Sequence, residues 1–145
     1  MNIIQVYENK KKYLDLLLLA DEQEDMIDRY LDDGDMFVLD DNGVKAECVV
    51  VKLTVDEYEL KNIAVEPDFQ SKGYGKKLID FLFEHYSGKT MYVGTGDCPT
   101  AIAFYSKCGF NESHRIENFF IDNYDHPMFE DGKQLIDMVY LKREW

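Results

Sequence analysis

The chain has 145 residues, of which 46% are apolar and 31% are charged, which is enough apolar material for one hydrophobic core. We therefore expect residues 1–145 to form a single domain. The 16 basic and 29 acidic residues give a formal net charge of −13. This charge argues against nucleic acid or an anionic membrane as a partner, because both are bound through basic surfaces. The sequence has no apolar stretch of about 20 residues and no signal-peptide pattern, so we expect a cytoplasmic protein.

The cysteine content argues against a disulfide framework and against a metal site. The chain has an odd number of cysteines, and they lack the spacing of zinc ligands: Cys48, Cys98 and Cys108. We expect three reduced thiols and no bound metal.

The first forty residues combine short regular elements with a dense acidic segment. Their apolar pattern predicts a strand over residues 3–7 and helices over residues 10–20 and 24–31. Ten of the 21 residues from position 21 to position 41 are acidic, and Arg29 is the only basic residue among them. Such a segment is either a solvated face or a field that attracts a cationic group, and the sequence leaves both interpretations open.

A hairpin and a third strand follow this segment. Residues 35–39 and 44–53 predict two strands joined by Asn42 and Gly43, two residue types that tolerate the positive φ of a tight turn. Residues 58–65 predict the third strand. We expect these three consecutive strands to be antiparallel.

The third strand leads into a glycine-containing loop and a helix. Apolar residues recur at helical spacing after the loop, at Leu78, Ile79, Leu82, Phe83 and Tyr86. Gly73 and Gly75 let the backbone approach a ligand closely, and the new helix offers unpaired amides and the positive end of its dipole. Lys72, Lys76 and Lys77 add positive charge. This combination predicts a phosphate-binding site at the start of the helix.

Two common phosphate-binding motifs do not fit this loop. A P-loop needs a glycine five residues before Gly75 and a Ser or Thr after Lys76, where this chain has Gln70 and Lys77. The dinucleotide fingerprint needs a third glycine where Leu78 stands. The phosphate ligand must therefore belong to another class.

The loop resembles the cofactor motif of the GCN5-related N-acetyltransferases, the GNAT family. That motif, Q/R-x-x-G-x-G/A, is matched by Gln70, Gly73 and Gly75. The resemblance implies that the pyrophosphate of acetyl-coenzyme A (acetyl-CoA) is held by Gln70, Ser71, Lys72, Gly73, Tyr74, Gly75 and Lys76. It also implies a bulged strand whose residues Ile63, Ala64 and Val65 pair through their backbone with the pantetheine arm. The alternative interpretation of the loop is a glycine-containing helix start with solvated lysines.

A second stretch with family resemblance lies about thirty residues further along the chain. Residues 89–95 predict a strand that completes a right-handed parallel crossover, and Pro99 and Gly109 bound the next helix. Residues 101–110, AIAFYSKCGF, resemble the family motif A-I-x-L-Y-x-x-x-G-F. The family commonly has Asn three residues before the motif, at a position that contacts the cofactor. This chain has Cys98 there, so the resemblance places Cys98 at the cofactor, although the side-chain amide contact would be absent or supplied elsewhere.

The resemblance also implies a fold. GNAT proteins are α/β (α+β) domains with a mixed, mostly antiparallel sheet that is splayed at the cofactor site and flanked by helices. In this chain, strands over residues 114–121 and 135–141 would close the sheet, and the loop at residues 123–127 would border the acceptor.

The expected chemistry requires a base and an acid. A protonated amine cannot attack a thioester, so a base must remove a proton, and the family often places a carboxylate on the central strand. This assigns the role to Glu59, with Glu57 or an ordered water as alternatives, although both acids also fit solvent-facing strand positions. Tyr105 matches the family position that protonates the leaving thiolate, and its usual pKa of about 10 keeps it protonated. The alternative for Tyr105 is a tyrosine that packs in the core.

These assignments predict an acetyl-CoA-dependent N-acetyltransferase that acts on a primary amine of a small cationic molecule, by direct transfer in a ternary complex. A non-catalytic acyl-CoA-binding or sensing module and a protein or peptide N-acetyltransferase are the alternatives. The sequence leaves open the identity of the acceptor and the choice between monomer and homodimer.

Overall fold

The computed structural model describes residues 1–144 and contains a seven-stranded sheet flanked by helices. The strands are β1 (Asn2–Val6), β2 (Asp35–Asp40), β3 (Val44–Lys52), β4 (Glu57–Val65), β5 (Thr90–Gly96), β6 (Asn111–Ile116), β7 (Phe129–Glu130), β8 (Lys133–Gln134) and β9 (Met138–Arg143). The helices are α1 (Leu14–Ala20), α2 (Glu24–Asp28), α3 (Tyr74–His85), α4 (Pro99–Lys107) and α5 (Phe119–Asn123), with 3-10 turns at Lys10–Tyr13 and Pro67–Phe69.

The sheet has the strand order β1-β2-β3-β4-β5-β9-β6, and β7 and β8 form a separate hairpin. β4 and β5 pair in parallel, whereas the other neighbours pair antiparallel. The parallel pair is connected through α3, as the predicted crossover requires. The structure therefore confirms the expected mixed, mostly antiparallel sheet.

Apolar side chains pack against both faces of this sheet. Val49 and Val50 are adjacent on β3 and point to opposite faces, and they belong to different apolar clusters. The cluster that contains Val50 also contains the apolar stripe of α3, which confirms the helical spacing seen in the sequence. The cluster that contains Val49 is covered by α1 and α2. A third, smaller cluster joins α5 to the residues around the β7–β8 hairpin.

Several elements differ in their bounds from the sequence-based expectation, and the differences at α2 and at two strands near the end of the chain are among the largest. Helix α2 ends at Asp28 rather than at residue 31. The strand expected over residues 114–121 ends at Ile116, because Asn118 has a φ of 56° and donates its backbone N–H to Asp137 Oδ1 at 3.0 Å. Helix α5 follows instead. The last strand begins at Met138, since Leu135 packs with α5 before the chain enters the sheet.

The sheet opens between β4 and β5. These strands pair from Glu57 opposite Thr90 to Leu60 opposite Val93 and then separate. A bulge lies at this point, because β3 pairs successive residues with Leu60 and then with Asn62, leaving Lys61 unpaired. The segment 63–65 therefore has β3 on one side and no strand of residues 1–144 paired on the other, as a splayed sheet requires.

No helix within residues 1–144 is long and apolar enough to cross a membrane. Over the same range, no group of three His, Cys, Asp or Glu side chains could hold a metal ion. The three cysteine thiols are free and buried.

Candidate active site

Two adjoining cavities meet at Tyr105. The loop cavity, about 380 Å³, lies between the end of β4 and the start of α3. The sheet cavity, about 360 Å³, is bounded by the end of α1, β5, α5 and the β7–β8 hairpin. Leu19, Ile63, Ala101 and Tyr105 belong to the walls of both. A group held in one cavity can therefore react with a group held in the other at this junction.

The backbone of the loop cavity depends on two glycines. Gly73 has a φ of 87°, in the left-handed region, directly before the first turn of α3. A Cβ on Gly75 would lie 3.1 Å from the ring of Phe104, so the glycine permits the close approach of α3 and α4. The first turn of α3 lines this cavity and carries unpaired amides and the positive end of the helix dipole. The loop cavity is therefore suited to a phosphate group.

Most of the residues assigned to the cofactor from the two motifs line the loop cavity. They are Ile63, Ala64, Val65, Gln70, Ser71, Gly73, Tyr74, Gly75 and Lys76. Gln70 also donates its side-chain amide to the carbonyl of Val65 at 3.1 Å, which holds the loop against the end of β4. Lys72 lies outside the cavity lining, with its ammonium 5.1 Å from the centroid of the Phe69 ring.

Cys98 lines neither cavity. Its side chain is 2% exposed at the residue that precedes α4, and its thiol donates to Asp131 Oδ2 at 3.3 Å. Asp131 lies in the turn of the β7–β8 hairpin. The position that carries Asn in the family motif therefore contacts this hairpin in the present chain, and not the cavity.

Tyr105 lies on α4 with its ring packed against Phe104 and Phe110, at centroid distances of 5.2 and 5.8 Å. Its hydroxyl has no hydrogen-bond partner among residues 1–144. Burial raises the pKa of Tyr105 above its usual value, so the phenol is protonated near neutral pH. The structure thus places a free proton donor in the wall that the two cavities share.

Glu59 lies on β4, is 7% exposed and lines neither cavity. Its Oε2 accepts a hydrogen bond from the Tyr140 hydroxyl at 3.1 Å and lies 3.1 Å from the ammonium of Lys61. Lys61 lines the sheet cavity, so Glu59 is separated from that cavity by one side chain. Glu57 accepts a hydrogen bond from Tyr92 at 3.1 Å and also lies outside both cavities.

The sheet cavity has an acidic lining. Asp21, Glu22 and Glu130 contribute three carboxylates, whereas Lys61 contributes the one ammonium among its lining residues in the described chain. Burial and the neighbouring carboxylates of Asp131 and Glu22 raise the pKa of Glu130, so the negative charges of Glu22 and Glu130 repel each other. A cationic ligand would relieve this repulsion.

Asp21 is held in place by two tyrosines. Its Oδ1 accepts a hydrogen bond from Tyr124 at 2.8 Å and its Oδ2 accepts one from Tyr30 at 3.3 Å. Burial raises the pKa of Asp21, and the two hydroxyl donors oppose that effect by stabilising the ionised form. Asp21 is therefore an oriented carboxylate in the wall of the sheet cavity.

The sequence pointed to only part of this acidic lining. It marked the whole segment 21–41, but Glu24 and Asp28 of that segment form surface ion pairs with Lys11, away from the cavity. Glu130 was not found, because no local motif marks it, whereas Tyr124 lies in the loop 123–127 that was expected to border the acceptor. They reach the cavity through the fold of α5 and the β7–β8 hairpin.

Comparison with known proteins establishes the family. Residues 32–112 match the family model described as Acetyltransferase (GNAT) domain. The chain belongs to the GNAT family. It is 34% identical to the uncharacterized N-acetyltransferase YvbK of Bacillus subtilis (strain 168) over 139 residues, covering 92% of this chain and 90% of that protein. It is 33% identical over 97 residues to the [ribosomal protein bS18]-alanine N-acetyltransferase of Escherichia coli (strain K12), covering 64% and 63% of the two chains.

A solved structure of the family shows the cosubstrate. A GNAT acetyltransferase from Elizabethkingia anophelis with acetyl-CoA bound superposes on this chain with a TM-score of 0.92 and 32% identity, covering 99% of this chain and 97% of that one. The present chain is accordingly an acyltransferase, an N-acetyltransferase that uses acetyl-CoA. This GNAT assignment confirms the enzyme class and the cosubstrate expected from the two motifs.

Proposed function

We propose that this GNAT enzyme acetylates a primary amine of a small cationic molecule bound in the sheet cavity. The observation that carries the proposal is the acidic lining of that cavity, with three carboxylates and one ammonium. Acetyl-CoA would occupy the loop cavity, with its pyrophosphate at the first turn of α3 and its arm along Ile63, Ala64 and Val65. The thioester would then lie at the junction beside Tyr105.

We assign the proton donor of the reaction to Tyr105. In direct transfer, the neutral amine attacks the thioester carbonyl and the C–S bond breaks as the tetrahedral intermediate collapses. The departing thiolate takes the phenolic proton of Tyr105, whose hydroxyl has no competing partner among residues 1–144. The raised pKa of Tyr105 keeps this proton available throughout the neutral range.

We retain Glu59 as the proposed base. Its carboxylate does not line the sheet cavity, so the amine proton would reach it through a water molecule beside Lys61. Lys61 lines the sheet cavity and its ammonium lies 3.1 Å from Glu59 Oε2, so this ion pair holds the Glu59 carboxylate next to the cavity wall.

A protein N-terminus is the second candidate acceptor. The Escherichia coli relative that acetylates an alanine of ribosomal protein bS18 supports this class. Phe129, which lines the sheet cavity and is 58% exposed, would offer an apolar contact to a peptide.

The two acceptor classes are separated by measuring thiol release from acetyl-CoA over a panel of polyamines, aminoglycosides, amino acids and short peptides. We expect release with small cationic amines, and release with peptides alone would contradict the proposal. Tyr105→Phe should reduce the release, and Tyr7→Phe, which alters a tyrosine that is 79% exposed on the edge of the molecule, is the matched control. A shift of the melting temperature by acetyl-CoA confirms cosubstrate binding independently of the acceptor.

A further inference from the structure

Glu47 on β3 is a buried acid. The residue is 0% exposed, and neither carboxyl oxygen has a hydrogen-bond partner in the described part of the chain. Within residues 1–144, the other buried side-chain oxygen that lacks a hydrogen-bond partner is Asn62 Oδ1. Unpaired buried polar atoms are costly, so two such groups close together require a common explanation.

The two groups are neighbours on the sheet. In the antiparallel β3–β4 pair, Glu47 stands opposite Ala64 and Val49 stands opposite Asn62, so Glu47 and Asn62 are diagonal neighbours on one face. A Glu side chain spans such a diagonal distance. An ionised carboxylate cannot bond to an amide oxygen, because both are acceptors, but a protonated carboxyl group can donate to it. Burial raises the pKa of Glu47 to about 8, so the protonated form prevails at neutral pH.

The orientation of the Asn62 amide is set by its other partners. Its Nδ2 donates to the carbonyl of Leu17 at 3.1 Å and to the hydroxyl of Tyr30 at 3.0 Å. A carbonyl can only accept, so the amide nitrogen must face Leu17 and Oδ1 must face away from it. Because Tyr30 already accepts from Asn62, its own proton is free to go to Asp21 Oδ2.

We propose that Glu47 is a positioning residue for the sheet cavity, and that its protonated carboxyl group donates to Asn62 Oδ1 and so orients a hydrogen-bond chain that ends on Asp21. Every link then runs in one direction, from Glu47 to Asn62, from Asn62 to Tyr30 and from Tyr30 to Asp21. The same amide ties the end of α1 to β4 through Leu17. Glu47 touches neither cavity, so it acts on the acceptor site only through this chain.

Ionisation of Glu47 would abolish the first link, because a carboxylate has no proton to donate to Asn62 Oδ1. The carboxylate and Asn62 Oδ1 would repel each other, which loosens Asn62 and leaves Asp21 less firmly held. The titratable groups that interact with Glu47 are Tyr30, Tyr105 from α4 and the adjacent Cys48, and each has its pKa raised above its usual value. The residues opposite Glu47 on β2 and β4, Val38 and Ala64, carry no charge. Glu47 is therefore the group of this cluster that titrates around pH 8.

Carbon-13 NMR of the Glu carboxyl groups tests the chain without any acceptor. The signal that disappears in Glu47→Gln should titrate near pH 8 in the wild type, and the side-chain amide signals of Asn62 should shift with the same midpoint. In Glu47→Gln the Asn62 signals should not titrate, because the Gln amide donates at every pH. Titration of Glu47 in the ordinary range of a glutamate, or Asn62 signals that do not follow it, would overturn the proposal.

The kinetic test rests on the proposed function, since it uses an amine that the enzyme accepts. The wild type and Glu47→Gln should have the same KM for the amine at pH 6.5, and the wild-type KM should be higher by about threefold or more at pH 9. Glu47→Leu, which has no donor, should show the raised KM at both pH values, whereas kcat changes little. Glu84→Gln, on the exposed side of α3, removes a carboxylate elsewhere and should follow the wild type at both pH values.

The outcomes of the two tests are distinguishable. A KM ratio between wild type and Glu47→Gln that does not change with pH would refute the positioning role. If no amine is turned over, the proposed function fails, and the NMR titration still decides whether Glu47 and Asn62 are linked.

Discussion

Replacement of Glu47 by Gln should make the protein more stable at alkaline pH and leave its stability nearly unchanged in acid. The unfolded chain ionises this carboxyl group at its ordinary pKa of 4.5, whereas burial raises the pKa to about 8 in the folded protein. Between these values the folded state holds a proton that the unfolded state has released, so the stability of the wild type falls as pH rises. The stability that the wild type owes to the proton on Glu47 is fully present below pH 4.5 and is lost by about pH 8.

The size of this effect follows from the two pKa values. Their difference, 8 minus 4.5, is 3.5 units. At about 1.4 kcal/mol per unit this amounts to about 5 kcal/mol. An effect of this size is a large share of the stability of a typical domain, which is about 5–15 kcal/mol. Gln has nearly the same shape and does not titrate, so the variant should not show this loss.

Urea unfolding at several pH values between 5 and 9 measures the difference in unfolding free energy between Glu47→Gln and the wild type. We expect this difference to grow in favour of the variant by about 1.4 kcal/mol per pH unit until it levels off near pH 8. Other titrating groups contribute equally to both proteins and cancel. The control Glu84→Gln should show no such slope. A pH-independent difference for Glu47→Gln would refute the assignment of a buried, protonated Glu47.

Three further substitutions test the acetyl-transfer site. Tyr105→Phe retains the ring but not the proton donor, so kcat for thiol release should fall by about 10²-fold or more. The melting temperature should stay close to that of the wild type. An unchanged kcat would contradict the acid role. Gly73→Ala and Gly88→Ala each place an alanine in left-handed backbone, at φ values of 87° and 83°. Among the described residues, no atom lies within 4 Å of either new Cβ. Each variant should therefore lose about 1 kcal/mol of stability, from backbone strain alone. Only Gly73→Ala should also weaken acetyl-CoA binding in calorimetry, and an equal effect of both would show that the loop cavity is not the cosubstrate site. Glu59→Gln should lower kcat by about 10²-fold with little change in the KM for acetyl-CoA, and a decrease below about threefold would rule out a base.

Elements whose signal is local in the sequence were predicted closely. The hairpin at Asn42 and Gly43 forms with positive φ at both residues, and α3 begins directly after Gly73. Tyr105 lies in the wall between the two cavities, on the helix that its motif indicated. In each case a backbone conformation or a helical repeat is encoded by residues a few positions apart, so the pattern can be seen without the fold.

Elements whose ends depend on distant contacts were predicted less well. The strand expected to continue to residue 121 ends at Ile116, because Asn118 turns the chain and bonds to Asp137 of a later segment. The thiol of Cys98 donates to Asp131 of the β7–β8 hairpin, a contact that the local motif does not encode. Competition between partners that are far apart in the chain cannot be judged from local spacing.

The sequence alone determined the order of the elements, the GNAT motifs and the glycine-dependent start of α3, because these depend on neighbouring residues and on the conformations that glycine permits. Only the tertiary structure decided which acids serve the sheet cavity. Asp21 and Glu130 are far apart in the chain and meet there because the sheet and the hairpin bring α1 and β7 to the same opening. The state of Glu47 was likewise decided by the fold. A carboxyl group changes its pKa according to the burial and partners around it, and those depend on strand register and packing.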